Sequence, residues 1–381
     1  MGLVSALKQF VVVHILIAYV FIVSGIICNI FQAAGYLLLR PISLTAYRKL
    51  AAFFTNMHWS QVVFLNEWWA GSEVTVYSSD EQWQEHFGKE KAVIVMNHHY
   101  EVDFLHGWTL CERLQVLGTS RALIKESVKY LPVVGWTMFF IEFLFLKRDY
   151  EEDKRTIVKQ LKELQNYPDN FWLLLFCEGT RFTAEKHEKS MEVARKKGVP
   201  ELKHHLLPRT RGFLLCAQGI REYIPAFYDV EIHFPNGSAE PTLMGLLKGE
   251  AQHAHIYVRR IPTEEVPEDE DACAEYCHEL YRIKDRNFEY FEQNGRFPDK
   301  VREIPRRPYT LIIIIFWSVL LVVPLIKYLV GVVMSGSTLM IAGVIMGGVL
   351  VSLLLQKMME VTQISKGSSY GHTKGNDKKK E

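Results

Sequence analysis

The sequence predicts an α/β fold, a central β-sheet flanked by helices, with an N-terminal membrane anchor and a C-terminal transmembrane helical hairpin. Two observations lead to this prediction. Between about residues 71 and 293, short apolar runs alternate with longer amphipathic ones, a pattern typical of an α/β domain. Long stretches without acidic or basic residues lie on either side, from Gln9 to Leu39 and from Tyr309 to Ile326.

We therefore expect four parts along the chain. They are an N-terminal anchor with interfacial helices over 1–70, an α/β domain over 71–300, a transmembrane hairpin over 301–360 and a polar tail over 361–381. Predicted strands in the α/β domain cover 73–77, 92–96, 122–125, 142–147, 171–176, 223–227 and 255–259. Predicted helices there cover 102–117, 151–165, 183–197 and 271–291.

The composition excludes one large class of partner. The 381 residues include 44 Lys and Arg against 43 Asp and Glu, for a net charge of +1. The chain as a whole therefore lacks the basic field that nucleic-acid-binding proteins use. We expect no nucleic-acid partner, and the sequence does not predict an oligomeric state.

The six cysteines are scattered and none forms a CxxC pair, so we interpret them as free thiols. Cys273 and Cys277, followed by His278, are spaced to clamp a metal from one helical face. No second ligand pair lies near them in the sequence. An ordinary amphipathic helix is the favoured interpretation, and we expect no metal site.

The N-terminal apolar stretch is too long for a simple membrane crossing. As one helix, residues 9–39 would measure roughly 46 Å, which exceeds the bilayer core. We expect it to tilt, to break near Ala33-Ala34-Gly35, or to lie partly in the interface. It lacks the cleavage site of a signal peptide, so it is predicted to be a retained anchor.

Two apolar runs, 309–326 and 337–356, predict the C-terminal hairpin. Pro324 is tolerable in a bilayer helix or else marks a re-entrant turn. A buried core helix is the weaker alternative.

Flanking charges predict the topology. Arg40, Arg48 and Lys49 follow the anchor while only Lys8 precedes it, and basic residues flank the outer ends of the hairpin, which places the middle region in the cytosol.

The tail Lys378-Lys379-Lys380-Glu381 resembles a cytosolic dilysine signal, so we expect a multi-pass protein of the endoplasmic reticulum membrane. A solvated charged tail explains the tail composition equally well. The sequon Asn236-Gly237-Ser238 is then expected to stay unglycosylated.

Polar residues follow two of the predicted strands. His98 lies at the exit of the 92–96 strand and Asp103 five residues later, in the first turn of a predicted helix. A carboxylate in that position can orient an imidazole and stabilise its protonated form, giving a pair that activates a hydroxyl. Taken alone the spacing is common, and Asp103 is equally interpreted as a helix cap. A second polar turn, 177–181, directly follows the 171–176 strand.

Together these two turns resemble the His-x4-Asp and Glu-Gly-Thr-Arg blocks of the glycerolipid acyltransferase family. Further blocks agree in order between about residues 91 and 227. They are Lys125 with Pro132, Gly135 and Arg148, then 207–213 and 224–226. Within the family the whole chain resembles the gamma and delta types of 1-acylglycerol-3-phosphate acyltransferase. Tyr100, Cys177 and Ala226 depart from the commoner residues, but none of these changes removes a proton-transferring group.

The resemblance implies direct acyl transfer from acyl-CoA, the co-substrate, to lysophosphatidic acid, with membrane lipids as surroundings and no cofactor. In that mechanism His98 takes the proton of the acceptor hydroxyl and Asp103 orients His98. We expect Arg181 to bind the phosphate, because its planar fork can pair two oxygens at once. Glu178 is expected to hold the glycerol or Arg181.

Other residues of the family blocks are expected to contact substrate. These are Gly179, Thr180, Lys125, Arg148, Arg209 and Arg211. For the four cations among them, a solvated surface position is nearly as good an interpretation.

Competing interpretations concern neighbouring residues. His99 lacks an Asp at the family spacing and is predicted to be structural. His106, His204 and His205 lack the HExxH spacing of a zinc site. A nucleophilic Cys177 would make the chain a thioesterase or an acyl-enzyme transferase, which we disfavour because the family commonly has Pro there.

Two rival functions remain. One is an acyltransferase for another lysophospholipid, although the lysocardiolipin type tends to carry an acidic residue where this chain has Arg181. The other is a non-catalytic membrane scaffold that kept the fold.

Overall fold

The computed structural model describes residues 3–147, 150–235 and 240–362. Three features expected from the sequence lie outside these residues: Arg148, the sequon at 236–238 and the tail that ends in the dilysine-like signal. The roles expected for them stay predictions.

Eight strands form one sheet. They are β1 Glu73–Ser78, β2 Ala92–Met96, β3 Arg121–Lys125, β4 Leu144–Leu146, β5 Trp172–Leu175, β6 Ala226–His233, β7 His253–Pro262 and β8 Lys300–Arg302. Their spatial order is β4-β3-β5-β2-β6-β7-β1-β8. The first five strands in this order are parallel, β7 and β1 run in the opposite direction, and β8 turns back against β1. The predicted central sheet is confirmed.

Helices cover both faces of the sheet and extend from it. They are α1 Leu3–Lys8, α2 Val11–Leu38, α3 Leu44–Phe64, α4 Trp83–His86, α5 Asp103–Arg113, α6 Val134–Phe140, α7 Tyr150–Leu164, α8 Ala184–Lys197, α9 Thr210–Ile220, α10 Leu243–Leu247, α11 Glu270–Asn294, α12 Tyr309–Met334 and α13 Thr338–Thr362. A π-helical turn, Leu65–Ala70, continues α3.

Strand β2 divides the core into two layers because its side chains alternate between the faces of the sheet. Ile94 and Met96 pack in the layer that includes α3 and α5. Val93 and Val95 pack in the layer formed by α7, α9 and α11. Both faces of β2 are therefore buried, and the turn that follows it begins from a rigid strand.

The sequence missed parts of the domain. The 223–227 strand is instead Ala226–His233, because Asp229, Glu231 and His233 are buried strand residues that read as polar in the sequence. The short strand β8 was not predicted because its three residues, Lys-Val-Arg, include a single apolar side chain. Helix α9 was also missing from the prediction.

Cys273 and Cys277 lie on the buried face of α11, within the second core layer. The amphipathic helix expected there is confirmed.

Helix α2 is continuous through Ala33-Ala34-Gly35, so of the three expected alternatives the break does not occur. Its two ends both contact the α/β domain. Near its start, the Gln9 side chain donates to the Lys248 carbonyl at 3.0 Å. Near its end, the ring centroids of Tyr36 and Phe139 are 5.7 Å apart. A 28-residue helix of roughly 42 Å thus has both ends close to the domain, and the interfacial position expected for it stays a prediction.

Helix α12 also runs without interruption through Pro324, so Pro324 marks no re-entrant turn. Its first half packs on α2 and α3 through Ile313, Trp317 and Leu321. Among the described residues, α2 and α12 are the two helices long and apolar enough to cross a membrane. The apolar stretch of α13, Thr338–Val349, is shorter.

Candidate active site

The site lies where β2 and β5 end side by side. These strands are parallel neighbours, with Val95 opposite Leu175, so the turns that follow them meet at one edge of the sheet. Asn97 fixes the direction in which the chain leaves β2. Its side chain donates to the Ile232 carbonyl at 3.0 Å and accepts from the Ile232 amide at 2.8 Å, which extends the pairing with β6 by one residue.

The structure brings His98 and Asp103 together. Nδ1 of His98 is 3.0 Å from Oδ2 of Asp103. The same oxygen accepts the backbone amides of His99, at 2.7 Å, and Tyr100, at 2.8 Å. Asp103 is fully buried, whereas 18% of the His98 side chain is exposed. The carboxylate therefore shapes the turn and holds the imidazole, with the proton on Nδ1 and Nε2 left as the basic nitrogen.

Glu178 acts on the backbone of this turn. Its Oε1 accepts the amide of His98 at 2.8 Å, and its Oε2 accepts the amide of Leu206 at 3.3 Å. Burial raises the pKa of Glu178 to about 8 in spite of these hydrogen bonds, which lower it. Of the two partners expected for Glu178, Arg181 lies 3.7 Å from the Glu101 carboxylate, and the contact with the glycerol stays a prediction.

The two turns are joined through their backbones. The Phe182 amide donates to the His98 carbonyl at 2.8 Å, and the Arg209 amide donates to the Cys177 carbonyl at 2.7 Å. Gly179 has a φ of +70° and faces Arg209 so closely that an added Cβ would lie 3.0 Å from Cδ of that side chain. This position therefore requires glycine both for its backbone and for the approach of Arg209.

Two cavities meet at His98. One, of about 300 Å³, is lined almost entirely by apolar side chains between the sheet and α5. The other, of about 380 Å³, contains Lys125, Arg209 and Arg211. His98, Ile124 and Phe176 line both. The ring of Phe176 stacks on His98, with centroids 4.1 Å apart and planes inclined by 20°, so it stands at the boundary between the two spaces.

Most of the expected substrate contacts lie on the basic cavity. Gly179, Thr180, Lys125, Arg209 and Arg211 all line it. Their predicted contacts with substrate stay predictions.

Arg181 does not line either cavity, but lies beside a cation that sequence reasoning missed. Nζ of Lys186 donates to Oγ1 of Thr180 at 3.0 Å and to the Arg181 carbonyl at 3.1 Å. Burial and the neighbouring Arg181 charge lower the pKa of Lys186. The available signal was its position in the first turn of α8, five residues after the motif residue Arg181.

Known proteins resemble the chain over nearly its full length. It is 44% identical over 372 residues to the rat 1-acyl-sn-glycerol-3-phosphate acyltransferase delta, covering 98% of both chains. It is 45% identical over 372 residues to the human gamma protein, again over 98% of both. The human delta protein is 43% identical over 378 residues, which is 99% of each chain. This chain belongs to the 1-acyl-sn-glycerol-3-phosphate acyltransferase family.

Two sequence profiles divide this acyltransferase unequally. The acyltransferase profile matches residues 74–218, from β1 to α9, and includes both polar turns. The acyltransferase C-terminus profile matches residues 245–317, from α10 into the first third of α12.

In this acyltransferase the second histidine of the turn points away from both cavities. Nε2 of His99 donates to the His204 carbonyl at 2.9 Å, and burial lowers the pKa of His99 to about 4. His204 and His205 are in turn bound to Glu289 and Asp285 of α11. These contacts fit the structural role expected for His99.

In the part of the chain that the structure describes, no group of three or more metal-binding side chains lies together. His106 instead hydrogen-bonds Gln252 at 3.1 Å.

Cys177 is buried at the base of the second turn, within the core layer that contains Cys216, Cys273 and Cys277. The residue is 5% exposed and also lines the basic cavity, so the expectation that Cys177 is not the nucleophile stays a prediction.

Proposed function

We propose that the chain transfers a fatty acyl group from acyl-CoA to the sn-2 hydroxyl of lysophosphatidic acid, producing phosphatidic acid and free CoA. The observation that carries the proposal is the His98–Asp103 pair at the junction of an apolar and a basic cavity. The names of the relatives support the acceptor, because each is called a 1-acyl-sn-glycerol-3-phosphate acyltransferase. We propose no resident metal or cofactor, with acyl-CoA as co-substrate.

The chemistry is a single displacement on the thioester. Nε2 of His98 removes the proton of the acceptor hydroxyl while the hydroxyl oxygen attacks the thioester carbon. Asp103 stabilises the imidazolium through the Nδ1 hydrogen bond. The C–S bond then breaks, and the departing sulfur takes the proton from His98. The stacked ring of Phe176 restricts the imidazole to one orientation during both proton transfers.

Each cavity suits one part of the substrates. The apolar cavity can receive an acyl chain, because almost no polar group lines it. The basic cavity places Lys125, Arg209 and Arg211 where phosphate oxygens need cations, which supports binding of the phosphates of either substrate. Arg181 and Lys186 lie together just beyond Thr180 and suit the phosphate of lysophosphatidic acid.

We further propose that the protein resides in the endoplasmic reticulum membrane with the α/β domain in the cytosol. Helix α2 then lies in the plane of one leaflet, because both of its ends contact the same domain. The hairpin of α12 and α13 crosses the bilayer.

The test compares three full-length proteins in membranes: wild type, His98→Ala and a control, His253→Ala. His253 is a surface histidine with 52% of its side chain exposed. Labelled acyl groups are supplied as acyl-CoA to a panel of lysophospholipids. We expect phosphatidic acid from wild type and His253→Ala, and a loss for His98→Ala on the order of a thousandfold, as for removal of a catalytic base. Transfer only to another lysolipid would refute the acceptor, and an active His98→Ala would refute the mechanism.

A further inference from the structure

One segment of the α/β domain separates the apolar cavity from the outside. It comprises residues 126–140, a 3-10 turn followed by α6, and is called the strap below. Val128 and Met138 of the strap line the apolar cavity. Its other side exposes Tyr130, Leu131 and Trp136, with 69%, 48% and 44% of their surfaces accessible. The strap is thus a thin wall that is apolar on both sides.

The strap is tightly folded at its centre. Val133 has φ +67° and ψ −70°, and the Val134 amide bonds the Pro132 carbonyl at 2.8 Å, which together form a γ-turn. A β-branched residue rarely adopts this conformation, so the surroundings must impose it. Next to it, a Cβ on Gly135 would fall 2.1 Å from the Val128 carbonyl oxygen.

Helix α2 supplies that constraint. The Val133 side chain fits beside Gly25, where an added Cβ would lie 2.3 Å from Cγ1 of the valine. Four residues further along both helices, Asn29 donates to the Thr137 hydroxyl at 2.8 Å. Because the spacing is the same on α2 and α6, the two helices lie side by side. The strap therefore lies beside α2, so a surface that α2 contacts also lies next to the strap.

We propose that the strap is a second membrane-contact element, inserted beside α2 into the interface of the same leaflet, with its inner side forming the wall of the acyl cavity. The inference rests on the membrane setting of the proposed function. A lipid surface is favoured over a protein partner because the exposed apolar surface of the strap continues onto α2. There Ile30, Phe31 and Leu37 are exposed along the stretch that holds the strap.

The chemistry of the strap also fits a bilayer interface. Tyrosine and tryptophan are the residues that concentrate at membrane interfaces. The ammonium group of Lys129 lies 5.9 Å from the ring centre of Tyr130 and 5.3 Å from that of Phe139, so a cation accompanies the aromatic side chains, as anionic headgroups require. Val128 and Met138 are the strap residues that then lie between the cavity and a long acyl chain in the leaflet.

The depth of the strap in the membrane is measured by fluorescent labelling. All six native cysteines are buried, so an engineered surface cysteine can be labelled selectively in the full chain. Leu131→Cys carries an environment-sensitive fluorophore in phosphatidylcholine vesicles, and Val193→Cys on α8 is the control, because Val193 is a similarly exposed apolar residue, at 43%. We expect blue-shifted emission at position 131, quenched by brominated lipid, and neither effect at 193. Equal quenching at both positions, or none at 131, overturns the proposal.

Activity provides the second test. Tyr130→Asp combined with Leu131→Asp is compared with Val193→Asp, using long-chain substrates in vesicles and short-chain substrates in solution. We expect about a tenfold loss or more for the strap variant in vesicles, because charge is expelled from the bilayer, and little change in solution. Equal losses in both assays overturn the proposal, since they indicate a damaged cavity. If wild type transfers no acyl group at all, the proposed reaction is wrong. The labelling experiment then still tests whether the strap contacts the membrane.

Discussion

At the scale of single residues, Glu178 illustrates how a family motif can act through the backbone. Its carboxylate accepts the backbone amides of both His98 and Leu206, and so holds the backbone of the proposed base in place. The sequence identified the residue but not its partners. Leu206 lies 28 residues further along the chain, and nothing local connects it to the motif.

Glu178 also makes the stability of the protein depend on pH. Its pKa is about 8 in the folded protein against 4.5 for the free side chain, so the folded state binds the extra proton between these values. Stability is therefore highest below pH 4.5 as far as this group is concerned, and it falls as pH rises towards about 8. We expect Glu178→Gln to lack this component, so that its Tm relative to wild type increases between pH 5 and pH 9. A difference in Tm that stays constant over this range would contradict the assignment.

At the scale of elements, α11 holds the segment 203–205, which leads to the residues that contact the active-site turns. Asp285 accepts the amides of Lys203, at 2.8 Å, and His204, at 2.7 Å, as well as the ring of His205, at 3.1 Å. The segment it holds delivers the Leu206 amide to Glu178 and the His204 carbonyl to His99. Asp285 is thus a positioning residue that reaches His98 only indirectly, through Glu178 and His99.

We expect Asp285→Ala to lower kcat by about 10- to 100-fold with little change in KM, because the displaced segment no longer fixes the base. Glu289→Ala is the matched control one turn further along α11. Glu289 binds the side chains of Lys203, His204 and Gln293 and is more exposed, so the Glu289→Ala variant should retain most activity. A kcat unchanged in Asp285→Ala, with only Tm reduced, would limit Asp285 to a structural role.

Elements with a local signal were predictable, and those held by distant partners were not. β2 was predicted with its exact bounds because its five residues are apolar and buried on both faces. β6 was not, because the buried Asp229 forms ion pairs with Arg259 on β7 and with Lys284 on α11, both far along the chain. The apolar cavity likewise depends on the approach of α5 to the sheet, which no short motif encodes.

At the scale of the whole molecule, the path of α2 sets the topology. If both of its ends stay against the α/β domain, the N-terminus and the domain lie on the same side of the membrane. We expect an N-terminal epitope to be digested by protease added to intact microsomes, together with the domain. A sequon engineered into the turn between α12 and α13, near Ser335, should be glycosylated. A protected N-terminal epitope would show instead that α2 crosses the bilayer.

The sheet also connects the two regions that the family profiles treat separately. β6, at Ala226–His233, lies between the profile matches, which end at 218 and resume at 245, yet it pairs with β2 directly beneath the proposed base. β7 and α11 come from the second region and complete the sheet and its rear support. Neither region can therefore be exchanged between relatives as a module, and substitutions that alter acyl or acceptor preference in one are expected to need compensation in the other.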